Sequence, residues 1–235
     1  MAPEPVVHSK SIAAFIPDLE LLIAEAMDEW KVPGLSIAVV QNGEVALLRA
    51  YGLRDVEAGL KVTTDTQFQL MSVSKSFCAT GLALLVDERR MDWKKPVREY
   101  IPEFRLHDPV ASDRVTVRDL LCHHSGLPRH DWIWLPGDLL PAQMLAAMRY
   151  LEPSDDFRST FQYSNLGYLV ASMVAERVSG QSWAEFTRSL TDKLHMDVTF
   201  TVEELAATAD AAVPYAMEGN TRLRSKLWPV SVTKR

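Results

Sequence analysis

The feature that most constrains the fold is a pair of apolar runs on either side of Asn42-Gly43. The runs are residues 35–40 and 45–51. An Asn-Gly pair between β-prone runs predicts a hairpin, because both residues tolerate the positive φ angles of a tight turn. Both runs are largely apolar instead of alternating, so we expect a sheet covered on both faces. Two strands alone do not form a stable sheet, so further strands are needed.

The rest of the chain has mainly helical patterns. Residues 17–30 place apolar side chains at spacings of three and four, with Pro17 in the first turn, and predict a helix. Further helices are predicted over residues 74–90, 116–123, 141–151, 165–178 and 182–194. This order of elements indicates an α+β fold, in which an antiparallel sheet is combined with a mostly helical subdomain.

Three regions follow from this order. Residues 1–73 form an N-terminal helix and hairpin that belong to an α/β subdomain. Residues 74–200 form the mostly helical subdomain, and residues 201–235 return towards the first region without completing it.

The composition excludes some function classes. The formal net charge of −6 argues against nucleic-acid binding. No apolar run reaches the roughly 18–20 residues that span a bilayer. The first five residues lack the basic start and apolar core of a signal peptide, so a cytoplasmic location is expected unless a signal has been trimmed. The two cysteines, Cys78 and Cys122, are too few for a disulfide framework and are expected to be buried thiols.

Ser72 and Lys75 form an S-x-x-K tetrapeptide at the start of a predicted helix. Helical spacing places both side chains on one face. A serine hydroxyl is a poor nucleophile without a base in hydrogen-bond reach, and a lysine serves only where its surroundings lower its pKa. The tetrapeptide alone is a weak motif, and the alternative is a capping serine beside a surface lysine.

A second candidate segment, Tyr163-Ser164-Asn165, lies in a loop directly before an apolar helix. A tyrosine here would share a proton relay with Lys75, and the asparagine would donate to a substrate carbonyl. The alternative is that Asn165 caps the helix while Tyr163 packs, since asparagine suits that position.

Four segments in this order resemble the serine hydrolases related to class C β-lactamases and penicillin-binding proteins, which include family VIII esterases and D-amino-acid peptidases. Residues 32–40 resemble the family's opening strand, and residues 68–77 its nucleophile segment. Residues 115–128 resemble its I-T-I-R-x-L-L-x-H-x-S-G-L landmark, and residues 161–168 its Y-x-N segment. The resemblance implies a β-lactamase/transpeptidase-like fold.

The same resemblance implies a role for each candidate residue. Ser72 is the acylated nucleophile, Lys75 its activating partner and Tyr163 the general base. Asn165 contacts the substrate, and the backbone N–H of Ser72 is one oxyanion donor. The implied enzyme hydrolyses a small-molecule ester, amide or peptide through an acyl-enzyme, and no metal or organic cofactor enters this scheme. The alternative is a catalytically inactive scaffold or binding module.

One family element has no counterpart in the sequence. The family carries a K-T-G or H-x-G strand after the Y-x-N segment, and no such tripeptide follows Tyr163. His124-Ser125-Gly126 spells H-x-G but precedes Tyr163 and belongs to the landmark. Without later strands the hairpin exposes an apolar edge, which soluble proteins avoid. We therefore expect a C-terminal remainder of the same protein to complete the sheet, or residues 1–235 to be an inactive fragment without it.

Two other groups of residues were candidates for function. No metal site is predicted, because no standard ligand spacing connects the possible ligands His123, His124, His130 and Asp131. Trp132 and Trp134 lie in a loop between helices and are expected to pack on the helical subdomain. The alternative is that they form an apolar wall for an acyl group.

Overall fold

The computed structural model describes residues 12–225. The helices in chain order are α1 (Ile16–Glu29), α2 (Ser74–Asp87), α3 (Pro109–Arg114), α4 (Val117–Leu121), α5 (Pro141–Ala147), α6 (Asn165–Ser179), α7 (Trp183–Lys193) and α8 (Val202–Ala207). The strands are β1 (Gly34–Gln41), β2 (Glu44–Asp55), β3 (Leu60–Lys61), β4 (Tyr215–Glu218) and β5 (Thr221–Arg224). This combination confirms the predicted α+β class. Among the described residues, no helix has the length and apolar content needed to cross a membrane.

The described chain divides into two compact units. The first contains residues 12–69 and 205–225, and the second contains residues 70–204. All strands lie in the first unit, whereas the second is built from helices and 3₁₀ turns.

The first unit contains the predicted hairpin. Strands β1 and β2 are antiparallel, and β3 pairs with β2, which gives the sheet order β1-β2-β3. Asn42 and Gly43 form the turn with φ angles of 56° and 83°. The helix predicted over residues 17–30 is present as α1, preceded by a 3₁₀ turn at Ile12–Phe15.

The prediction that both faces of this sheet are covered is wrong for the described part of the chain. Leu47 is the one buried side chain in β1 and β2 there. Val40, Val45 and Leu48 are 62%, 63% and 45% exposed. The physical reason is that an apolar run shows only that a strand would gain free energy from burial. It does not show whether a neighbouring element is present to bury it.

Strands β4 and β5 form a separate two-stranded antiparallel sheet. They are short and mostly polar, and the sequence patterns did not predict them. The chain before them is anchored by Asp210, whose carboxylate accepts hydrogen bonds from Thr63 at 2.5 Å and Thr66 at 2.6 Å. Arg54 forms an ion pair with the same carboxylate at 3.2 Å. Because β4 and β5 pair with each other and not with β1, strand β1 has one unpaired edge among the described strands.

The second unit contains the helices predicted from periodicity, here α2, α4, α5, α6 and α7. The short helices α3 and α8 were not predicted. Helix α6 is buried along most of its length and packs against α2, α4, α5 and α7. Gly81 allows α2 to approach α7, because a Cβ at this position would lie 2.6 Å from the Phe186 ring. This packing fixes the first turns of α2 and α6 relative to each other.

Helix α4 is only five residues long, so its ends depend on side-chain contacts. Thr116 and Asp119 form a capping box at its start, and Arg158 donates to both carboxylate oxygens of Asp119 at 2.9 and 2.8 Å. Burial raises the pKa of Asp119, but the bonds from Arg158 and Thr116 outweigh burial and hold the pKa below its ordinary value. This anchored helix carries His123 just beyond its end.

Candidate active site

Ser72 and Lys75 lie together, as their spacing predicts. Ser72 is in the 3₁₀ turn Met71–Val73 directly before α2, and Lys75 is in the first turn of α2. Side chains three residues apart nearly eclipse in this geometry. Lys75 Nζ donates to Ser72 Oγ at 3.1 Å. The serine is exposed and the lysine half-buried, so the hydroxyl is open to a ligand.

Tyr163 reaches the same point from the loop before α6. Its hydroxyl oxygen lies 2.7 Å from Ser72 Oγ, although 91 residues separate the two in sequence. Lys75 Nζ lies 4.9 Å from the centre of the tyrosine ring. The serine hydroxyl therefore has a phenol on one side and an ammonium group on the other.

Asn165 is the first residue of α6, and its Oδ1 accepts a hydrogen bond from Lys75 Nζ at 2.7 Å. The alternative that Asn165 caps the helix is wrong, since Ser164 occupies the cap position and makes no side-chain cap bond. The structure thus joins all four candidate residues in one chain of contacts, Tyr163–Ser72–Lys75–Asn165.

The charges around Tyr163 change its acidity. Burial raises its pKa, but polar contacts with Lys75 and Ser72, together with the positive charges of Lys75 and Arg129, outweigh burial. The pKa of Tyr163 therefore lies below its ordinary value. A phenol with a lowered pKa is deprotonated more often near neutral pH, which suits a proton acceptor.

Asp131 belongs to the site, although the sequence indicates it only as a possible metal ligand. Its Oδ1 accepts from Asn165 Nδ2 at 3.1 Å and from Trp134 Nε1 at 3.0 Å. Its Oδ2 accepts from Arg129 Nε at 2.5 Å. No local pattern shows the contact with Asn165, because 34 residues separate the two. Between residues 12 and 225, no cluster of three or more His, Cys, Asp or Glu side chains is arranged to hold a metal ion.

His123 packs against the Tyr163 ring and binds the backbone of the next residue. Its Nδ1 accepts from the backbone N–H of Ser164 at 3.1 Å, and its ring centre lies 4.6 Å from the tyrosine ring. Burial and the nearby positive charges of Lys75 and His124 lower the pKa of His123, which favours the neutral imidazole needed to accept that bond. Sequence reasoning missed this role, and the position of His123 inside the landmark was its only signal.

Four further side chains test packing predictions. Trp134 is partly buried against the core, as predicted, but Trp132 is 82% exposed. Trp132 lies within the 3₁₀ turn Asp131–Ile133, and Trp134 directly follows it. Neighbouring side chains in such a turn point about 120° apart, so Trp132 points outward when Asp131 points inward. Cys78 is buried, and burial raises its pKa to about 12. The prediction that Cys122 is buried is wrong, since it is exposed at the end of α4.

Comparisons with known proteins show which family the chain belongs to. A family model described as Beta-lactamase matches residues 19–232. The unguisins hydrolase ungD' of Aspergillus campestris is 33% identical over 194 residues, which are 78% of this chain and 36% of that protein. The chain thus spans well under half the length of this curated relative.

Solved structures show the same fold. The octameric penicillin-binding protein homologue from Pyrococcus abyssi superposes with a TM-score of 0.78 at 29% identity, covering 94% of this chain and 52% of that one. EstCE1, a hydrolase with promiscuous acyltransferase activity, superposes with a TM-score of 0.79 at 20% identity, covering 91% and 60%. The predicted β-lactamase/transpeptidase-like fold is therefore confirmed.

Proposed function

Because the chain belongs to the beta-lactamase family, we propose that it is a serine hydrolase that cleaves an ester or amide through an acyl-enzyme on Ser72. The observation that carries the proposal is the contact of Ser72 Oγ with Tyr163 at 2.7 Å and with Lys75 at 3.1 Å. A serine hydroxyl becomes an effective nucleophile when a base lies within hydrogen-bond reach. The relative that is 33% identical is itself named as a hydrolase, which supports the same class.

The proposed first step is acylation. Tyr163, as phenolate, accepts the hydroxyl proton while Ser72 Oγ attacks the carbonyl carbon of the substrate. The tetrahedral intermediate expels an alcohol or amine, which takes the proton back from Tyr163 and leaves an acyl ester on Ser72. Lys75 stabilises the phenolate by its positive charge, and the backbone N–H of Ser72 donates to the developing oxyanion.

The proposed second step is deacylation. Tyr163 accepts a proton from water while the water oxygen attacks the acyl ester. The acid product leaves as Ser72 Oγ regains that proton from Tyr163. In each step Tyr163 therefore first accepts a proton and then gives it back. After both steps the four residues have returned to their starting state.

Asn165 is proposed to contact the substrate. A carboxamide nitrogen carries two hydrogens, and Asp131 accepts one of them at 3.1 Å. The second hydrogen is directed to a substrate carbonyl oxygen. The proposed substrate is a small-molecule ester, amide or peptide, the class that the family resemblance implies. Its scissile carbonyl must reach the exposed Ser72.

The proposal is tested by covalent labelling of the intact native protein. A fluorophosphonate or a fluorescent penicillin is expected to add once per chain, and mass spectrometry is expected to place the adduct on Ser72. Heat-denatured protein is the control and should not label, because the activating contacts exist only in the folded chain. An absence of both labelling and ester turnover would support the alternative, an inactive scaffold or binding module.

We also propose that a C-terminal remainder of the same protein completes the sheet beside β1. The support is the unpaired edge of β1 among residues 12–225 and the exposed apolar side chains of Val40, Val45 and Leu48. Such an edge favours addition of a strand. We expect the intact mass of the native protein to exceed that of residues 1–235, and those residues alone to show no turnover. Full ester turnover by the pure 235-residue species would contradict this proposal.

A further inference from the structure

Asn165 lies between a positive and a negative group. Lys75 Nζ donates to its Oδ1 at 2.7 Å, and its Nδ2 donates to Asp131 at 3.1 Å. An ammonium group can only donate and a carboxylate can only accept, so one orientation of the carboxamide satisfies both. The reversed amide would place its N–H groups against Lys75 and its oxygen against Asp131. Asp131 therefore selects the orientation that Lys75 requires.

Asp131 is itself held in place. Trp134 Nε1 donates to the same oxygen that binds Asn165, and Arg129 Nε donates to the other oxygen. The Asp131 side chain is 20% exposed and that of Arg129 is 63% exposed. Burial raises the pKa of Asp131, but the bonds from Arg129, Trp134 and Asn165 outweigh burial and keep the pKa below its ordinary value. The carboxylate is thus a fixed negative charge.

Arg129 also lies beside Tyr163, the first residue of the chain of contacts. Its Cζ lies 5.6 Å from the centre of the Tyr163 ring, on which Lys75 also acts. The contacts form a closed circuit through Tyr163, Ser72, Lys75, Asn165, Asp131 and Arg129. Two members of that circuit, Asp131 and Arg129, have no part in the proposed chemical steps.

We propose that Arg129 and Asp131 are positioning residues of the candidate active site. Asp131 orients the Asn165 carboxamide towards Lys75, and Arg129 holds a positive charge beside Tyr163 that Asp131 partly neutralises. This inference rests on the proposed function, because it concerns the activation of Ser72. Arg129 acts on Tyr163 directly, whereas Asp131 acts through its contacts with Arg129 and Asn165. Removing one or the other changes the net charge beside Tyr163 in opposite directions, which a purely structural role would not do.

The other titratable groups that face Tyr163 are Lys75 on α2, His123 after α4 and Tyr168 on α6. All three are retained in the variants below. Burial and neighbouring positive charge lower the pKa of His123, which favours its neutral form. The rate of Ser72 labelling should rise with pH as Tyr163 loses its proton, and this rising part of the pH profile is the acid limb. A shift of the acid limb then reports a change of charge next to Tyr163.

The experiment measures the rate of fluorophosphonate labelling of Ser72 against pH in the intact native protein. Arg129→Gln is expected to move the acid limb up by about half a pH unit, because it removes a water-screened positive charge. Arg129→Lys keeps the charge and should leave the limb where it is. Asp131→Asn should move the limb down and lower the plateau rate by about tenfold or more, since Asn165 loses its fixed orientation.

Arg177→Gln is the matched control. Arg177 forms an exposed ion pair with Glu103 at 2.6 Å and lies about 18 Å along α6 from Asn165. Its pH profile should coincide with that of the unmodified protein. Circular dichroism checks folding, and if Asp131→Asn does not fold, the comparison of Arg129→Gln with Arg129→Lys decides.

The outcomes separate this inference from the proposed function. If the unmodified protein does not label, the proposed function fails and the inference falls with it. If it labels and the acid limbs of Arg129→Gln and Arg129→Lys coincide, the inference alone is overturned. Labelling that slows equally at every pH, with no displaced limb, overturns it as well.

Discussion

Replacing Ser72 by alanine is expected to abolish labelling and to lower ester or amide hydrolysis by about 10⁴-fold or more. The change removes the only oxygen that lies both 2.7 Å from the Tyr163 hydroxyl and 3.1 Å from Lys75 Nζ among the described contacts. Tyr163 and Lys75 would remain in place but without a group to activate. Steady-state turnover and mass spectrometry of the labelled protein measure both effects.

The fold should survive this change. Ser72 is exposed, and removing a surface hydroxyl usually alters the free energy of unfolding by less than about 0.5 kcal/mol. Ser76→Ala is a matched control, since Ser76 is also exposed on the start of α2 but its hydroxyl donates to the Val73 carbonyl at 2.7 Å. It should label fully. Unchanged turnover in Ser72→Ala would show that the nucleophile is elsewhere.

The parts of this molecule that follow local patterns were predictable from sequence. Asn42-Gly43 indicates the hairpin because only a few residue types tolerate positive φ, and α6 follows from apolar spacing over four turns. The candidate residues on α2 and before α6 could be paired because ordered motifs resemble a known family. Their contacts at 2.7–3.1 Å depend on helix packing that no local pattern contains.

The remaining parts depend on contacts between distant residues. Asp131 enters the site because the loop after α4 brings its carboxylate within 3.1 Å of Asn165, which lies 34 residues away in sequence. Arg129 also belongs to none of the recognised motifs, and it is identified only by its position beside the Tyr163 ring. The short strands β4 and β5 have little apolar pattern, and pairing with each other decides their conformation.

Three residues in or beside the site have a left-handed backbone conformation. Met71, His123 and His130 have φ angles of 49°, 60° and 31°, and none is a glycine. Each directly precedes or supports a site residue: Met71 comes before Ser72, and His130 before Asp131. Such conformations cost about 1–2 kcal/mol per residue and persist where surrounding contacts impose them. Five other non-glycine residues of the described chain share this conformation, so it is not specific to the site: Lys31, Asn42, Arg89, Arg158 and His195.

Replacing Tyr163 by phenylalanine is expected to slow acylation of Ser72 by about 10²–10⁴-fold, the usual contribution of a general base. The variant loses the hydroxyl 2.7 Å from Ser72 Oγ but keeps the ring that packs 4.6 Å from His123. Because the pKa of Tyr163 is lowered in the folded chain, its loss should also remove the acid limb of the pH profile. The residual rate should then vary little with pH over that range.

Tyr168→Phe makes the same chemical change beside the site and serves as the control. The Tyr168 hydroxyl donates to the Leu121 carbonyl at 3.1 Å and is not within hydrogen-bond reach of Ser72 among the described contacts. Its removal should lower the free energy of unfolding by about 1 kcal/mol and leave acylation unchanged. Tyr163→Phe should show the opposite pattern, a slow reaction in a stable fold. A loss of thermal stability with the acylation rate retained would instead assign Tyr163 a packing role.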